Sequence, residues 1–359
     1  MMPPFVYLII HIMVEFSIFM IVTLSLNLEV GHTGIPQFGR VIAVIAGAFA
    51  VGAIPGRILA YMMGLPYGAE YAIYKYNYWV VDEISNKLAA NVPLSITYFI
   101  LSLLLAAVCG AAVGWLTSRP AIRLREAYLG ISLLAFGDVL MWIGYNYEPL
   151  VGGSTATAVP DPFRWIWKYR FTVVSFVIVV IAFMMLLIVE RLTKSPFGRT
   201  LKMLRDNELA ATVFGKDIVK IRTRSLVIGS SIAAVAGALY VIYSGTCNAA
   251  AFTRLTWTFW PWAYMMLGGV GSNIGVVIGV LIFIIIRKLI VLYRFELAPY
   301  LPFDPIWLEY TLAGLAIILI VLFRPYGLLP EKPEPTIPPE RIRELLEEIR
   351  KEEETEVQE

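Results

Sequence analysis

Residues 171–189 read FTVVSFVIVVIAFMMLLIV, nineteen consecutive positions without a charged side chain. A helix rises about 1.5 Å per residue, so this run covers close to the roughly 30 Å of a bilayer's hydrocarbon core. Directly after it, residues 191–224 carry nine Lys or Arg against three acidic residues. An uncharged run followed by a basic loop reads as a transmembrane helix entering the cytoplasm.

The same pattern repeats along the chain. Further apolar stretches fall at 4–26, 38–62, 94–117, 128–145, 225–244, 275–292 and 307–323. Residues 257–267 are apolar but too short for an ordinary span. Pro261 and the run Gly268-Gly269-Val270-Gly271-Ser272 permit irregular backbone there, provided it is buried or lines a cavity. Hydrophobic residues make up 58% of the 359 positions and charged residues 16%, and the mean hydropathy is +0.72. Soluble chains carry about 25% charged residues, so the bilayer has to serve as part of the solvent. The expected fold is all-α, a polytopic bundle of about eight spans with interrupted helices.

Basic residues set the orientation. The 191–224 loop and the 118–125 turn, with Arg119, Arg123 and Arg125, are placed in the cytoplasm. Arg324 directs the C-terminus to the same side, and counting back puts the N-terminus outside. An even number of crossings must then separate Arg224 from Arg324, and the broken region near Gly268 has to supply it. Residues 1–329 form the membrane domain. Residues 330–359 form a tail, a linker with Pro330, Pro333, Pro335, Pro338 and Pro339 followed by an acidic segment. There Ile342, Leu345, Leu346 and Ile349 share one helical face, which suits either a solvated helix or a contact with a cytoplasmic partner. The Tyr-rich segment 63–93 faces outside, as interface anchor or docking surface.

Several residues invite a role in solute passage. Gly31, Thr33 and Gly34 in the first glycine-rich break weakly mirror Gly268, Gly269, Gly271 and Ser272. Paired interruptions mark a midplane pathway in many transporters, although close helix packing explains them equally well. Asp138 stands out as an ionisable residue inside a span; it lines a pathway, bonds a neighbouring helix, or sits nearer the interface. Gly152, Gly153 and Ser154 either offer backbone amides to a solute carboxylate or form a plain turn. Cys109 and Cys247 read as small buried hydrophobes, and His11 and His32 as isolated. Nothing indicates a resident metal.

The basic loop contains its own helix. Ser195 is a suitable N-cap with Pro196 at the first helical position, Leu201, Leu204, Leu209 and Val213 supply an apolar face, and Gly215 is a stop. Glu208-Leu209-Ala210-Ala211 followed by Gly215 resembles the Glu-x-Ala-Ala-x-x-x-Gly coupling loop of ABC importer permeases. Further pieces occur in order: Ser25-Leu26-Asn27-Leu28 with Gly31 and Gly34, Arg123-Leu124-Arg125, Leu134-Ala135-Phe136-Gly137-Asp138, Gly152-Gly153-Ser154, Leu267-Gly268-Gly269-Val270-Gly271-Ser272, and Leu322-Phe323-Arg324-Pro325-Tyr326-Gly327. The set, covering residues 24–329, resembles the M-type permeases of high-affinity branched-chain amino acid ABC importers. The chain departs from that family at Pro36, Gln37, Gly39 and Arg40, at Asp138 where Glu is usual, and in its tail and 63–93 segment.

The resemblance implies a multi-pass subunit in the cell membrane that imports Leu, Ile, Val or related small solutes. Arg199, Arg205, Glu208, Ala210, Ala211 and Gly215 would couple it to two ABC ATPase subunits. A second, homologous permease and an extracytoplasmic solute-binding protein would complete the system. The chain has no phosphate-binding loop of the GxxxxGK[ST] type, so it would bind no cofactor directly, with ATP-Mg on the ATPases. It also lacks a nucleic-acid-binding module and the clustered His, Asp or Cys of a membrane enzyme. An ATPase-independent secondary transporter or channel is the competing reading; its mark would be several ionisable residues inside the membrane, for which Asp138, Glu15 and Glu29 are thin support.

Overall fold

The computed structural model describes residues 4–68, 70–124, 126–300, 302–331, 341 and 343. The amphipathic face of the tail, at Ile342, Leu345, Leu346 and Ile349, lies outside the described residues, as does Arg125. The helices are α1 Pro4–Glu29, α2 Arg40–Ala53, α3 Pro55–Met62, α4 Tyr74–Ala90, α5 Val92–Arg123, α6 Glu126–Asn146, α7 Glu148–Val151, α8 Arg170–Lys194, α9 Pro196–Asp206, α10 Glu208–Val213, α11 Ile218–Ser244, α12 Trp260–Gly268, α13 Asn273–Leu292, α14 Arg294–Leu297 and α15 Ile306–Phe323. Among the described residues one two-stranded antiparallel pair, Thr157–Ala158 with Thr246–Cys247, joins two loops at the end remote from the basic loop.

Among the described residues seven helical stretches are long and apolar enough to cross a bilayer: Tyr7–Glu29, Arg40–Met62, Val92–Pro120, Tyr128–Asn146, Arg164–Lys194, Ile218–Ser244 and Asn273–Leu292. Trp307–Phe323 is a shorter apolar helix. This is a multi-pass helical membrane protein. Side-chain caps start the helices where the sequence supplies them. Asn91 accepts from the Leu94 N–H ahead of α5, Asp217 from Lys220 ahead of α11, and Ser272 from Gly275 ahead of α13. The second span is interrupted between α2 and α3, where Pro55 supplies no N–H to the helical ladder although Ile54 before it stays helical.

Helix α11 is the axis of the bundle, packed against α1, α2, α5 and α8. Small residues permit the approach. A Cβ on Gly47 of α2 would stand 1.9 Å from the Ala234 carbonyl oxygen of α11, and one on Gly237 would stand 2.0 Å from that of Val44. Only glycine fits at such a crossing. The main core, including Ile21, Leu24, Val44, Ile45, Leu239 and Trp257, fills the space around α11.

The short apolar segment descends from the far end toward the basic loop. It begins as a π-helical turn, Leu255–Phe259, and continues as α12. Thr258 Oγ1 accepts from the Val41 N–H at 3.1 Å, and Trp262 Nε1 donates to the Gln37 carbonyl at 3.0 Å. Beyond it Gly271 donates to Asn27 Oδ1 at 2.8 Å, next to the end of α1. With this segment, α11, α13 and α15, the chain traverses the bundle an even number of times between Arg224 and Arg324. The 63–93 region carries its own helix, α4. A satellite core of Tyr71, Val80, Ile84, Leu88 and Tyr98 holds it against α5.

Candidate functional site

The basic loop folds as two helices rather than the single one expected over residues 196–215. Asn207 is extended (φ −158°, ψ 107°), and its side chain caps α10 by accepting from the Ala210 N–H. The break divides the apolar face. Leu201 and Leu204 of α9 and Ala211 of α10 are buried together with Leu28 and Ile221. Leu209, Val213 and Phe214 instead point away from the bundle, 79%, 86% and 71% exposed. Gly215 closes α10 at φ +71°, and the Lys216 N–H returns to the Ala211 carbonyl at 3.0 Å. Glu208 is ion-paired to Arg222 at 2.9 Å, fixing α10 to the start of α11. Ala210 is half-buried, and Arg199 is exposed on α9.

Arg205 ties this loop to the bundle. Its Nη1 donates to the Gly31 carbonyl and to Glu331, both at 2.6 Å, and its Nε to Asp206 at 2.9 Å. Burial opposes the guanidinium's charge, but Glu331 and Asp206 more than offset it and hold the pKa above its usual value. Lys202 reaches Glu331 at 3.1 Å. Burial pushes the Glu331 carboxyl up, and the two cations bring it below the ordinary carboxylate range. Residues beyond α15 reach the same place, because the Leu328 and Leu329 N–H groups donate to the carbonyls of Leu267 and Gly268 at 3.0 and 2.9 Å.

The two glycine-rich breaks meet here. A Cβ on Gly31 would lie 2.6 Å from the Gly271 nitrogen. Asn273 organises the junction: its Oδ1 accepts from Asn27 at 3.0 Å, and its Nδ2 donates to Glu190 at 2.8 Å and to Thr193 at 2.9 Å. His32 Nε2 lies 3.4 Å from the same Oδ1. Burial lowers the His32 pKa to about 4, so the imidazole stays neutral at ordinary pH. Thr33 shares a hydrogen bond with Ser225 at 2.7 Å, Gly34 packs on Arg205, and Gly268 and Gly269 pack on residues 275 and 329. Ser272 is the α13 cap. Gly31, Thr33, Gly34, Gly268, Gly269, Gly271 and Ser272 therefore gather at the loop end of the bundle, on the side of α9 and α10, rather than midway along it.

The remaining pathway candidates lie elsewhere. Gly152 and Gly153 are left-handed (φ +76° and +57°) and, with Ser154, form a tight turn beyond α7. Asp138 is about 18 Å along α6 from Glu126, and it pairs with Arg254 at 3.1 Å. These two side chains are 32% and 54% exposed at that depth. Within a bilayer such a pair is costly where it meets lipid and less so beside a polar cavity or another protein.

Two further charge clusters give partners to Glu29 and Glu15, which the sequence shows only as isolated carboxylates. Arg40 and Glu29 form a 3.0 Å salt bridge with both side chains wholly buried. Gln37 donates to Glu29 at 3.0 Å, and Arg40 also donates to Ser25 and to Ser230 of α11. The second cluster joins α1, α13 and α15. Arg287 Nη1 meets Glu15 at 3.0 Å, its Nε donates to Glu309, and Lys288 pairs with Glu15 as well. Adjacent Arg287 and Lys288 inside the apolar run 275–292 were the available signal. Next to this cluster is a cavity of about 330 Å³, lined by Glu15, Tyr240, Tyr243, Trp257, Arg287 and Lys288 among others. None of the glycine-motif residues lines it. Among the described residues no group of three or more His, Cys, Asp or Glu could hold a metal ion.

A bundle of long apolar helices, with ion pairs held inside it and a capped helical loop at one end, defines a multi-pass helical membrane protein. Residues 8–321 match the family described as the permease component of branched-chain amino acid transport systems. The chain belongs to this family. It is 40% identical to the probable branched-chain amino acid transport permease protein LivM of Methanocaldococcus jannaschii, over 92% of this chain and 96% of that protein. It is 24% identical to the high-affinity branched-chain amino acid transport system permease protein LivM of Escherichia coli, over 87% of this chain and 68% of the relative. A shorter match, 28% identical, covers 49% of this chain and 60% of the Escherichia coli permease protein LivH of the same named system. No solved structure matches the chain.

Proposed function

We propose that this chain is a transmembrane subunit of an ATP-driven importer in the cell membrane, moving branched-chain amino acids or similar small solutes. The observation that carries the proposal is the geometry of α10. It is capped at both ends, bonded to α11 through Glu208, and rests on α9. It nevertheless leaves Leu209, Val213 and Phe214 uncovered. Three adjacent exposed apolar side chains on an ordered loop suit a protein partner. The α9–α10 pair connects through Arg205 to Gly31 and thence to the Asn27–Asn273 junction of α1, α8 and α13. Force applied to α10 by an ATPase subunit would reach three spans.

In this reading two ABC ATPases bind ATP-Mg and engage α10, and the loop and the C-terminus are cytoplasmic. That two Escherichia coli permease proteins, LivM and LivH, carry one system name supports a second permease beside this chain. The Asp138–Arg254 pair then faces the pathway or the second permease, and an extracytoplasmic binding protein delivers the solute. The Asp138, Glu15 and Arg287 clusters also supply the intramembrane charge that a carrier independent of ATP would display. Co-purification decides between the readings. Leu209→Asp and Val213→Asp alter side chains outside the core, so the permease should stay folded. The wild type should retain its ATPase in detergent, and both variants should lose it. Retention undiminished in both variants would contradict docking at α10.

A further inference from the structure

Arg287, Lys288, Glu15 and Glu309 occupy the third of the bundle farthest from the basic loop. Lys288 is four residues before the end of α13, Glu309 is in the first turn of α15, and Glu15 is about 21 Å along α1 from Glu29. Two acids and two bases leave the cluster with no net charge. Arg287 is engaged through Nε and Nη1. It bonds Glu15, Glu309 and the Tyr264 hydroxyl, the last at 3.2 Å, and its guanidinium stacks 4.7 Å from the Trp260 ring centre.

Lys288 differs. Among the described residues Glu15 is its partner, so of the three hydrogens of its ammonium group two remain for the cavity. The rest of the lining includes an aromatic and aliphatic surface of Phe19, Trp257, Tyr240 and Ile18. Phe19 and Trp257 stack at 5.3 Å, and Tyr240 meets Trp257 edge-on at 5.1 Å. The wall is thus a fixed surface. A volume of about 330 Å³ is at the lower end of the range of small-molecule pockets.

We propose that this cavity is an outer binding site for a small zwitterion with an apolar body. Its carboxylate would meet Lys288, its ammonium Glu15 and the neighbouring aromatic faces, and its side chain the Phe19–Trp257 wall. The proposal rests on the chain being a solute permease and adds where, and by which groups, the solute is held. Binding exchanges the Lys288–Glu15 pair for two pairs with the ligand, so no charge is left alone in a low-dielectric site. A ligand with only one of the two charges brings a net charge to an otherwise neutral cluster and makes one of the two ligand pairs at most, which a polar site rejects strongly.

Equilibrium binding to the purified full chain in lipid nanodiscs tests this without any ATPase. The probes are L-leucine, its amide (a cation) and 4-methylpentanoate (an anion), read by tryptophan fluorescence. The wild type should prefer leucine to both analogues by about tenfold or more. Lys288→Met should invert the preference toward the amide, because Arg287 alone then faces the two carboxylates Glu15 and Glu309 and the cluster is one negative charge in excess. Ala251→Phe, which fills the cavity and leaves the charges intact, should weaken all three, and it decides the matter if Lys288→Met fails to fold. Leucine binding unchanged in the folded variants, or equal affinity for the three probes, would overturn the site. So would phosphatidylethanolamine retained by the wild type with no leucine binding, since the zwitterion would then be a lipid headgroup. Failure of ATP-driven uptake in a protein that still shows this selectivity would count against the proposed function and leave the site standing.

Discussion

Arg40 and Glu29 are both wholly buried, and each satisfies a charge that neither water nor a lipid headgroup reaches. Removing one partner of such a pair strands the other and costs roughly 3–5 kcal/mol, whereas removing both is frequently neutral. Arg40→Met should therefore lower the thermal midpoint of the purified protein sharply, and the Glu29→Gln, Arg40→Met double variant should recover most of the loss. A double variant as unstable as the single one would show that Arg40 serves the Ser25 and Ser230 hydroxyls more than Glu29. In the sequence Arg40 was visible only as a departure from the family pattern. Its partner is eleven positions away across an irregular turn, Glu29 ending α1 and Arg40 beginning α2, so no single helix or strand carries both. Asp138 was legible because a lone carboxylate stands out in an apolar run. Its partner Arg254 was not, because that residue belongs to a different segment.

At the scale of elements, length and composition identified the spans, since few alternatives exist for twenty apolar residues in lipid. Caps at Asn91, Ser195, Asp217 and Ser272 are local chemistry and equally readable. The split between α9 and α10 was harder. Leu201, Leu204, Leu209 and Val213 are spaced as one helical face, but Asn207 interrupts it by taking an extended backbone to cap α10. The meeting of the two glycine-rich breaks depends on tertiary contacts between residues about 240 positions apart, which spacing cannot report. Helix packing gives a contrast between two glycines. A Cβ on Gly237 would collide with the Val44 carbonyl of α2, whereas one on Gly314 in α15 would meet open space. Gly237→Ala should lower the thermal midpoint, by the roughly 1–3 kcal/mol typical of an overpacked core. Gly314→Ala should leave the midpoint unchanged or raise it, since alanine favours a helix by up to about 1 kcal/mol over glycine. Equal effects from the two would mean that α2 and α11 are less closely packed than the structure has them.

Across the whole molecule, polar chemistry is confined to a few places within an apolar bundle. The α9–α10 loop, the glycine breaks and the segment following α15 converge on Arg205 and Asn273 at one end. The Glu15–Arg287–Lys288 cavity lies toward the other, and the Arg40–Glu29 and Asp138–Arg254 pairs fall between. Helices α1 and α13 contribute to both the loop-end junction and the cavity, so a shift of the loop would be transmitted along them toward the proposed solute site. The claim that energy enters at α10 is tested most directly by uptake of L-leucine into vesicles. These would contain this chain with its second permease, ATPase and binding protein, compared with and without ATP on the ATPase side and with Val213→Asp in place of the wild type. Uptake that requires ATP and disappears in the variant is the expected result. Uptake that proceeds without ATP, driven by an ion gradient and indifferent to Val213→Asp, would contradict it.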